Sequence, residues 1–155
     1  MRNIDRKLIE AARSGDAKSV EELLSKGADF KAVTGVGWTA LHFAAGSGSA
    51  EAVKLLLEKG ADIKVVSKEG ETALHFAAGS GSAEAVRLLL EKGADVNTKD
   101  TWGKTALHYA ESKGRSEAAT VLRKAEMAST MRELKNVLSR VERLTEMKER
   151  RNRVK

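Results

Sequence analysis

The chain has 155 residues, 41% hydrophobic and 32% charged, with neither cysteine nor proline. That composition supports a core, argues against wholesale disorder, and excludes disulfides, thiolate metal sites and thiol nucleophiles. The formal net charge is +6, but residues 129–155 hold nine Lys/Arg against four Asp/Glu, so residues 1–128 carry only +1 and the basicity belongs to the tail.

Taken from the start, Met1-Arg-Asn-Ile4 lacks the apolar core of a secretory leader. With no cysteine, a reducing cytoplasm or a recombinant host suits the chain, and no run of eighteen apolar residues is there to span a membrane. A first helix is expected with Asn3 as N-cap and Asp5 near the positive end of its dipole. Thr39, Thr72 and Thr105 each precede an apolar segment and are expected to cap a short helix. In the first of these, Leu41, Ala44 and Ala45 form a narrow apolar face, and Gly48 stands where a left-handed residue would end the helix. Ala52, Val53, Leu56 and Leu57 then recur at helical spacing, which predicts a second helix closed by Gly60.

The pattern repeats every 33 residues. Gly37, Gly70 and Gly103 are 33 apart, as are Gly15, Gly48, Gly81 and Gly114, and Gly27, Gly60 and Gly93. Thr39–Val53 returns unchanged as Thr72–Val86, Leu55–Asp62 as Leu88–Asp95, and a degenerate copy begins Thr105-Ala-Leu-His-Tyr-Ala110. A 33-residue period with three Thr-x-Leu-His strings in register resembles the ankyrin repeat over roughly residues 3–126. The resemblance implies an all-α solenoid: an N-terminal cap from Asn3 to Val33, two internal repeats, and a C-terminal cap ending near Glu126. The family's proline after the threonine is replaced by Ala40, Ala73 and Ala106, good helix formers. The outermost copies are polar where the internal ones are apolar: Glu10 and Glu22 match Phe43 and Leu55, and Glu111 and Arg123 match Ala45 and Leu57. Such swaps suit the exposed ends of an array. The near-verbatim copies resemble an engineered, designed ankyrin repeat protein, although recent duplication in a natural gene would leave the same mark.

The resemblance also implies a function. Ankyrin repeats bind other proteins along hairpin tips and the exposed side of each first helix. Here the tips fall at Val33–Trp38, Val66–Glu71 and Lys99–Lys104, where the otherwise near-identical repeats diverge. The candidate partner-binding residues are Val33, Val36, Trp38, Val66, Glu69, Glu71, Trp102 and Lys104 in the tips, and Ser47, Ser80 and Lys113 on the helices. Trp38 and Trp102 fit the profile of interface hot spots, though either ring can instead fold onto its own hairpin. His42, His75 and His108 read as structural braces rather than metal ligands, and Phe43, Phe76 and Tyr109 as core. With no phosphate-cradling loop and no paired carboxylates in an apolar setting, neither an enzyme nor a cofactor or metal is expected.

Beyond the array, residues 127–155 form a separate segment. No glycine or proline follows Gly114, so Ser116 to about Arg151 can be one helix, but Thr130-Met-Arg-Glu133 has capping-box spacing and predicts a new helix from Met131. Its apolar residues Met131, Leu134, Val137, Leu138, Val141 and Leu144 form a stripe at helical spacing. That stripe can dock on the array, bind a partner or pair with another copy, so homo-oligomerisation is the second reading. Lys148–Lys155 reads as a solvated, frayed end. No aromatic residue is interleaved with its cations, so nucleic acid is not the expected partner.

Overall fold

A computed structural model describes residues 1–154, and Lys155 of the expected frayed end lies outside them. Eight helices and no strand are found among these residues: α1 (Asn3–Ser14), α2 (Ala17–Ser25), α3 (Ala40–Ser47), α4 (Ala50–Glu58), α5 (Ala73–Ser80), α6 (Ala83–Glu91), α7 (Ala106–Ser112) and α8 (Ser116–Val154). The chain is therefore all-α and forms the expected solenoid of helical hairpins. Packing divides it into two units, Met1–Arg123 and the remainder from Lys124.

Within the first unit the inner helices α1, α3, α5 and α7 stack side by side, and α2, α4 and α6 form a second layer behind them. Alanine makes the close stacking possible. Ala12, Ala44, Ala45, Ala77, Ala78 and Ala110 are fully buried along the inner layer, while Val20, Val53, Leu56, Val86 and Leu89 fill the outer one. Leu57 is only half-buried. Glu10, Glu22, Glu111 and Arg123 are exposed, and an ion pair of 3.1 Å joins the last two across the C-terminal face.

Six of the helix starts have a local side-chain cause. The side chains of Thr39, Thr72 and Thr105 form capping boxes with the histidines three residues on. The outer helices α2, α4 and α6 start on Asp16, Ser49 and Ser82, whose side chains accept from the backbone N–H of Ser19, Ala52 and Ala85. Gly15, Gly48 and Gly81 end inner helices with φ of 71°, 78° and 81°, a left-handed turn that side chains resist.

Two expectations at helix starts are corrected. Asn3 is the first helical residue of α1 rather than its cap, and the capping position belongs to Arg2. Asp5 does more than face the dipole: it accepts two bonds from the Arg2 guanidinium and one from the backbone N–H of Asp29 at 2.8 Å. The Arg2 side chain, and then the Asp29 N–H, hold the Asp5 carboxyl below its ordinary range. No new helix starts at Met131. α8 runs unbroken from Ser116, and the Thr130 hydroxyl, expected to cap, instead donates to the Glu126 carbonyl within the helix. No glycine or proline follows Gly114, so nothing forces the backbone out of helical geometry there. The helix continues to Val154.

Candidate functional site

The three tips share one backbone design. In each, the first N–H of the turn donates to a carbonyl four residues on: Thr34 to Trp38, Ser67 to Glu71, Asp100 to Lys104. Gly37, Gly70 and Gly103 close the turns with φ of 82°, 77° and 76°. A side-chain oxygen at the same position fastens every turn. Thr34 Oγ1 accepts from Trp38 N–H, Ser67 Oγ from Glu69 and Glu71 N–H, and Asp100 Oδ1 from Trp102 and Lys104 N–H. Adjacent tips are tied by Lys68 N–H to the Val36 carbonyl and Thr101 N–H to the Glu69 carbonyl, at 3.1 and 2.9 Å. The tips thus form a rigid comb with side chains in aligned rows. Thr34, Ser67 and Asp100 were not singled out from sequence, although a short oxygen-bearing residue recurring every 33 positions beside a turn glycine is a readable signal.

Among the candidate residues, Val33, Val36 and Val66 are about half exposed, at 51%, 47% and 49%, and Trp102 is 64% exposed. Glu69, Lys104 and Lys113 are exposed as well. Trp38 behaves differently. Its ring packs edge-on against Phe43 and Phe76 with centroids 5.5 and 5.2 Å away, and its buried Nε1 has no hydrogen-bond partner. Phe76 and Tyr109 are half-buried rather than wholly core. Together with Phe43 they line the inner-helix side of the tips, and the Arg13 guanidinium lies 4.9 Å from the Phe43 ring centre, an arrangement suited to cation–π attraction. Gly46 lies beside this row, where a Cβ would make ordinary van der Waals contact with the Phe76 ring at 3.5 Å.

Family comparison agrees with this geometry. A model of ankyrin repeats (three copies) matches residues 8–100, and one of ankyrin repeats (many copies) matches residues 80–123. The chain belongs to the ankyrin-repeat family. No individual curated protein matches it. Ankyrin repeats are in general protein-interaction modules, and proteins built from them are typically non-enzymatic.

In this ankyrin array the small polar residues on the inner helices are already engaged. Ser47 Oγ donates to the Ala44 carbonyl and accepts from Ser49 N–H, and Ser80 Oγ does the same with Ala77 and Ser82. Their hydroxyls secure helix ends. Glu71 is half-buried and accepts from Ser67 Oγ at 3.2 Å. Trp102, Lys104 and Lys113 come together around an open groove of about 320 Å³ that Asp100, Tyr109 and Ser112 complete. Tyr109 OH donates to Asp100 Oδ2 at 2.6 Å, with Glu71 Oε2 3.2 Å away. Burial, followed by these carboxylates, pushes the Tyr109 hydroxyl well above its ordinary pKa, so it stays a donor. Burial also acts to raise the Asp100 carboxyl, but bonds from Tyr109 and the Lys104 and Trp102 N–H groups outweigh it and hold the group lowered. Asp100 stays ionised but is bonded inward, so the exposed charged side chains of this groove are Lys104 and Lys113, with the Asp100 carboxylate behind them.

The histidines are structural. His42 Nδ1 accepts from Thr39 N–H at 3.0 Å and its Nε2 lies 3.0 Å from the Glu71 carbonyl; His75 links Thr72 and Lys104 the same way. An N–H can only donate and a carbonyl can only accept, so both rings are neutral with the proton on Nε2. Each bridges its own capping box to the next hairpin. Burial lowers the pKa of both. His108 retains the bond from Thr105 N–H, but no further repeat follows for its Nε2 to reach. No cluster of three or more metal-binding side chains is found among the described residues, and none of their helices is long and apolar enough to cross a membrane.

Proposed function

We propose that this ankyrin-repeat protein is a non-enzymatic scaffold that grips another protein with the tips at residues 33–38, 66–71 and 99–104 and the adjoining inner-helix side. The observation that supports it most is a rigid, hydrogen-bonded frame whose exposed tip residues differ from repeat to repeat. Along the array the offered chemistry changes from apolar (Val33, Val36) through charged (Lys68, Glu69) to aromatic and basic (Trp102, Lys104, Lys113). Residues 1–126 act as the binding array and 127–155 as a separate segment, and the near-identical repeats are those of an engineered, consensus-type protein. Trp102 is the anchor, because it is the large aromatic held outward. The test is to isolate a partner by pull-down, identify it by mass spectrometry and measure its affinity by calorimetry. Trp102→Ala is expected to weaken binding by about 2 kcal/mol, the hot-spot scale, with the melting temperature unchanged. Unaltered affinity would move the site off the tips.

A second reading is favoured by the distal part of α8. Met131, Leu134, Val137, Leu138, Val141 and Leu144 are each more than half exposed. In this reading the helix joins copies of the chain. Light scattering of the full chain against a version stopped at Ala128 tests it, since equal monomer masses remove it.

A further inference from the structure

We propose that the distal stretch of α8, from Met127 to Lys148, pairs antiparallel with the same stretch of a second copy, centred near Val137 and Leu138. The proposal rests on the self-association reading and adds to it a stoichiometry, a direction and a register.

An α-helix turns about 100° per residue, which places Met127, Met131, Leu134, Val137, Leu138, Val141 and Leu144 within an arc of roughly 140°. Only three polar residues, Thr130, Thr145 and Lys148, fall inside that arc between Met127 and Lys148. Both threonine hydroxyls are already satisfied within the helix, Thr130 by the Glu126 carbonyl at 3.1 Å and Thr145 by the Val141 carbonyl at 3.0 Å. They can be covered without leaving an unpaired donor, the condition that polar groups under an interface must meet. Lys148 stands at the end of the stretch, where its stem can lie along the apolar face with its ammonium in water.

Charges flank the stripe on both sides. One flank carries Lys135 and Glu142, the other Glu133 and Arg140. In an antiparallel pair like flanks face each other. With the centre between Val137 and Leu138, Lys135 meets the second copy's Glu142 and Glu133 meets its Arg140, each within two residues of the same level. Both flanks therefore match opposite charges, the kind of pairing that favours one partner over another in paired helices. A parallel pair can also bring unlike flank charges together, so the direction is decided elsewhere, by the tail. Lys148, Arg150, Arg151 and Arg153 oppose only Glu149. Parallel pairing would set two such tails, each net +3 over residues 148–154, side by side at about 8–10 Å between helix axes, roughly one screening length at physiological salt. Antiparallel pairing separates them along the axis by roughly 40 Å, several Debye lengths at physiological salt.

The chain lacks cysteine, so single cysteines report direction cleanly. Thr130 and Thr145 lie on the stripe, equidistant from the proposed centre. In the full chain, T130C and T145C are expected to cross-link to each other when mixed and oxidised, and neither to itself. The two copies of position 130 would stand roughly 22 Å apart along the axis, beyond disulfide reach. Light scattering should give twice the monomer mass, and Leu138→Glu should weaken dimerisation at least tenfold while leaving the helical signal of the array intact. Monomer mass at all concentrations would overturn the proposal together with the self-association reading. A dimer in which T130C or T145C links to itself would overturn the antiparallel arrangement and leave that reading standing. A trimer or larger assembly would overturn the two-copy pairing.

Discussion

The first and third tips each carry a tryptophan, and the fold uses the two in opposite ways. Trp38 is the last residue of its tip, beside the N-terminus of α3, and its ring is held edge-on between Phe43 and Phe76. Trp102 sits one residue before the turn glycine of its own tip, the level occupied by Val36 and Glu69, and stands 64% exposed. Position within the 33-residue unit, not residue type, thus decides which aromatic stabilises the array and which is offered outward. The same contrast runs through the molecule. Interior units are braced by a repeat on each side, whereas the last unit has the same motif with no further ankyrin hairpin after it among the described residues.

The largest effect expected from this contrast is at Trp38. Trp38→Ala removes a ring shared by two repeats and should cost about 2–4 kcal/mol, reaching somewhat below the usual range for large aromatic truncations because the residue is only half-buried. Trp38→Phe keeps an aromatic edge and removes the buried Nε1 that lacks a partner. Deleting an unsatisfied donor offsets part of the lost area, so its stability should lie within about 1 kcal/mol of the parent. Urea unfolding of both variants checks this. If Trp38→Ala is as stable as Trp102→Ala, the two tips are equivalent and the contrast fails.

The histidines give the next largest difference. His75→Ala strips a buried N–H at Thr72 and a carbonyl at Lys104 of their partners and should cost about 2 kcal/mol, whereas His108→Ala loses one capping interaction, about 1 kcal/mol or less. The pH dependence follows from the lowered pKa of His42 and His75. The unfolded chain binds protons at these rings near the ordinary value of 6.5, and the folded chain resists them. Their stabilising contribution is therefore full above pH 6.5 and is lost as pH falls through the depressed folded values. Melting temperature should drop between pH 7 and 5, and less steeply in His75→Gln. An unchanged slope would mean that the ring titrates as freely in the folded chain as in the unfolded one.

Much of the array was legible in the sequence, because the repeat, the Thr-His capping boxes and the left-handed glycines are local and recur in register. What was not legible depends on neighbours distant in sequence or on competing uses of one group. The direction of the Trp38 ring is set partly by Phe76, a full repeat away. Ser47 and Ser80 look like free surface hydroxyls until their bonds to Ala44, Ser49, Ala77 and Ser82 are seen. Thr130-x-x-Glu133 has the spacing of a cap, but spacing acts only where the backbone leaves the helix, and a threonine already inside one bonds back to its preceding turn.

The smallest effect isolates the last hairpin of the array. Asp16, Ser49 and Ser82 each accept from the first turn of their helix. The residue 33 positions after Ser82 is Arg115, which has no acceptor to offer, so α8 starts without the side-chain cap of the other outer helices. Its guanidinium instead reaches the Gly79 carbonyl at 3.3 Å in an exposed setting, a long bond that water can replace. Arg115→Ser should restore the missing cap and stabilise the chain by about 0.5–1 kcal/mol. The gain should appear as slower hydrogen exchange in residues 116–123, with the interior repeats unaffected. Ser82→Arg is the inverse substitution, and it should cost about as much at α6 as Arg115→Ser adds at α8. Loss of stability in Arg115→Ser would show that the bond to Gly79 contributes more than a cap, and that the last hairpin is fastened by contacts the interior repeats do not use.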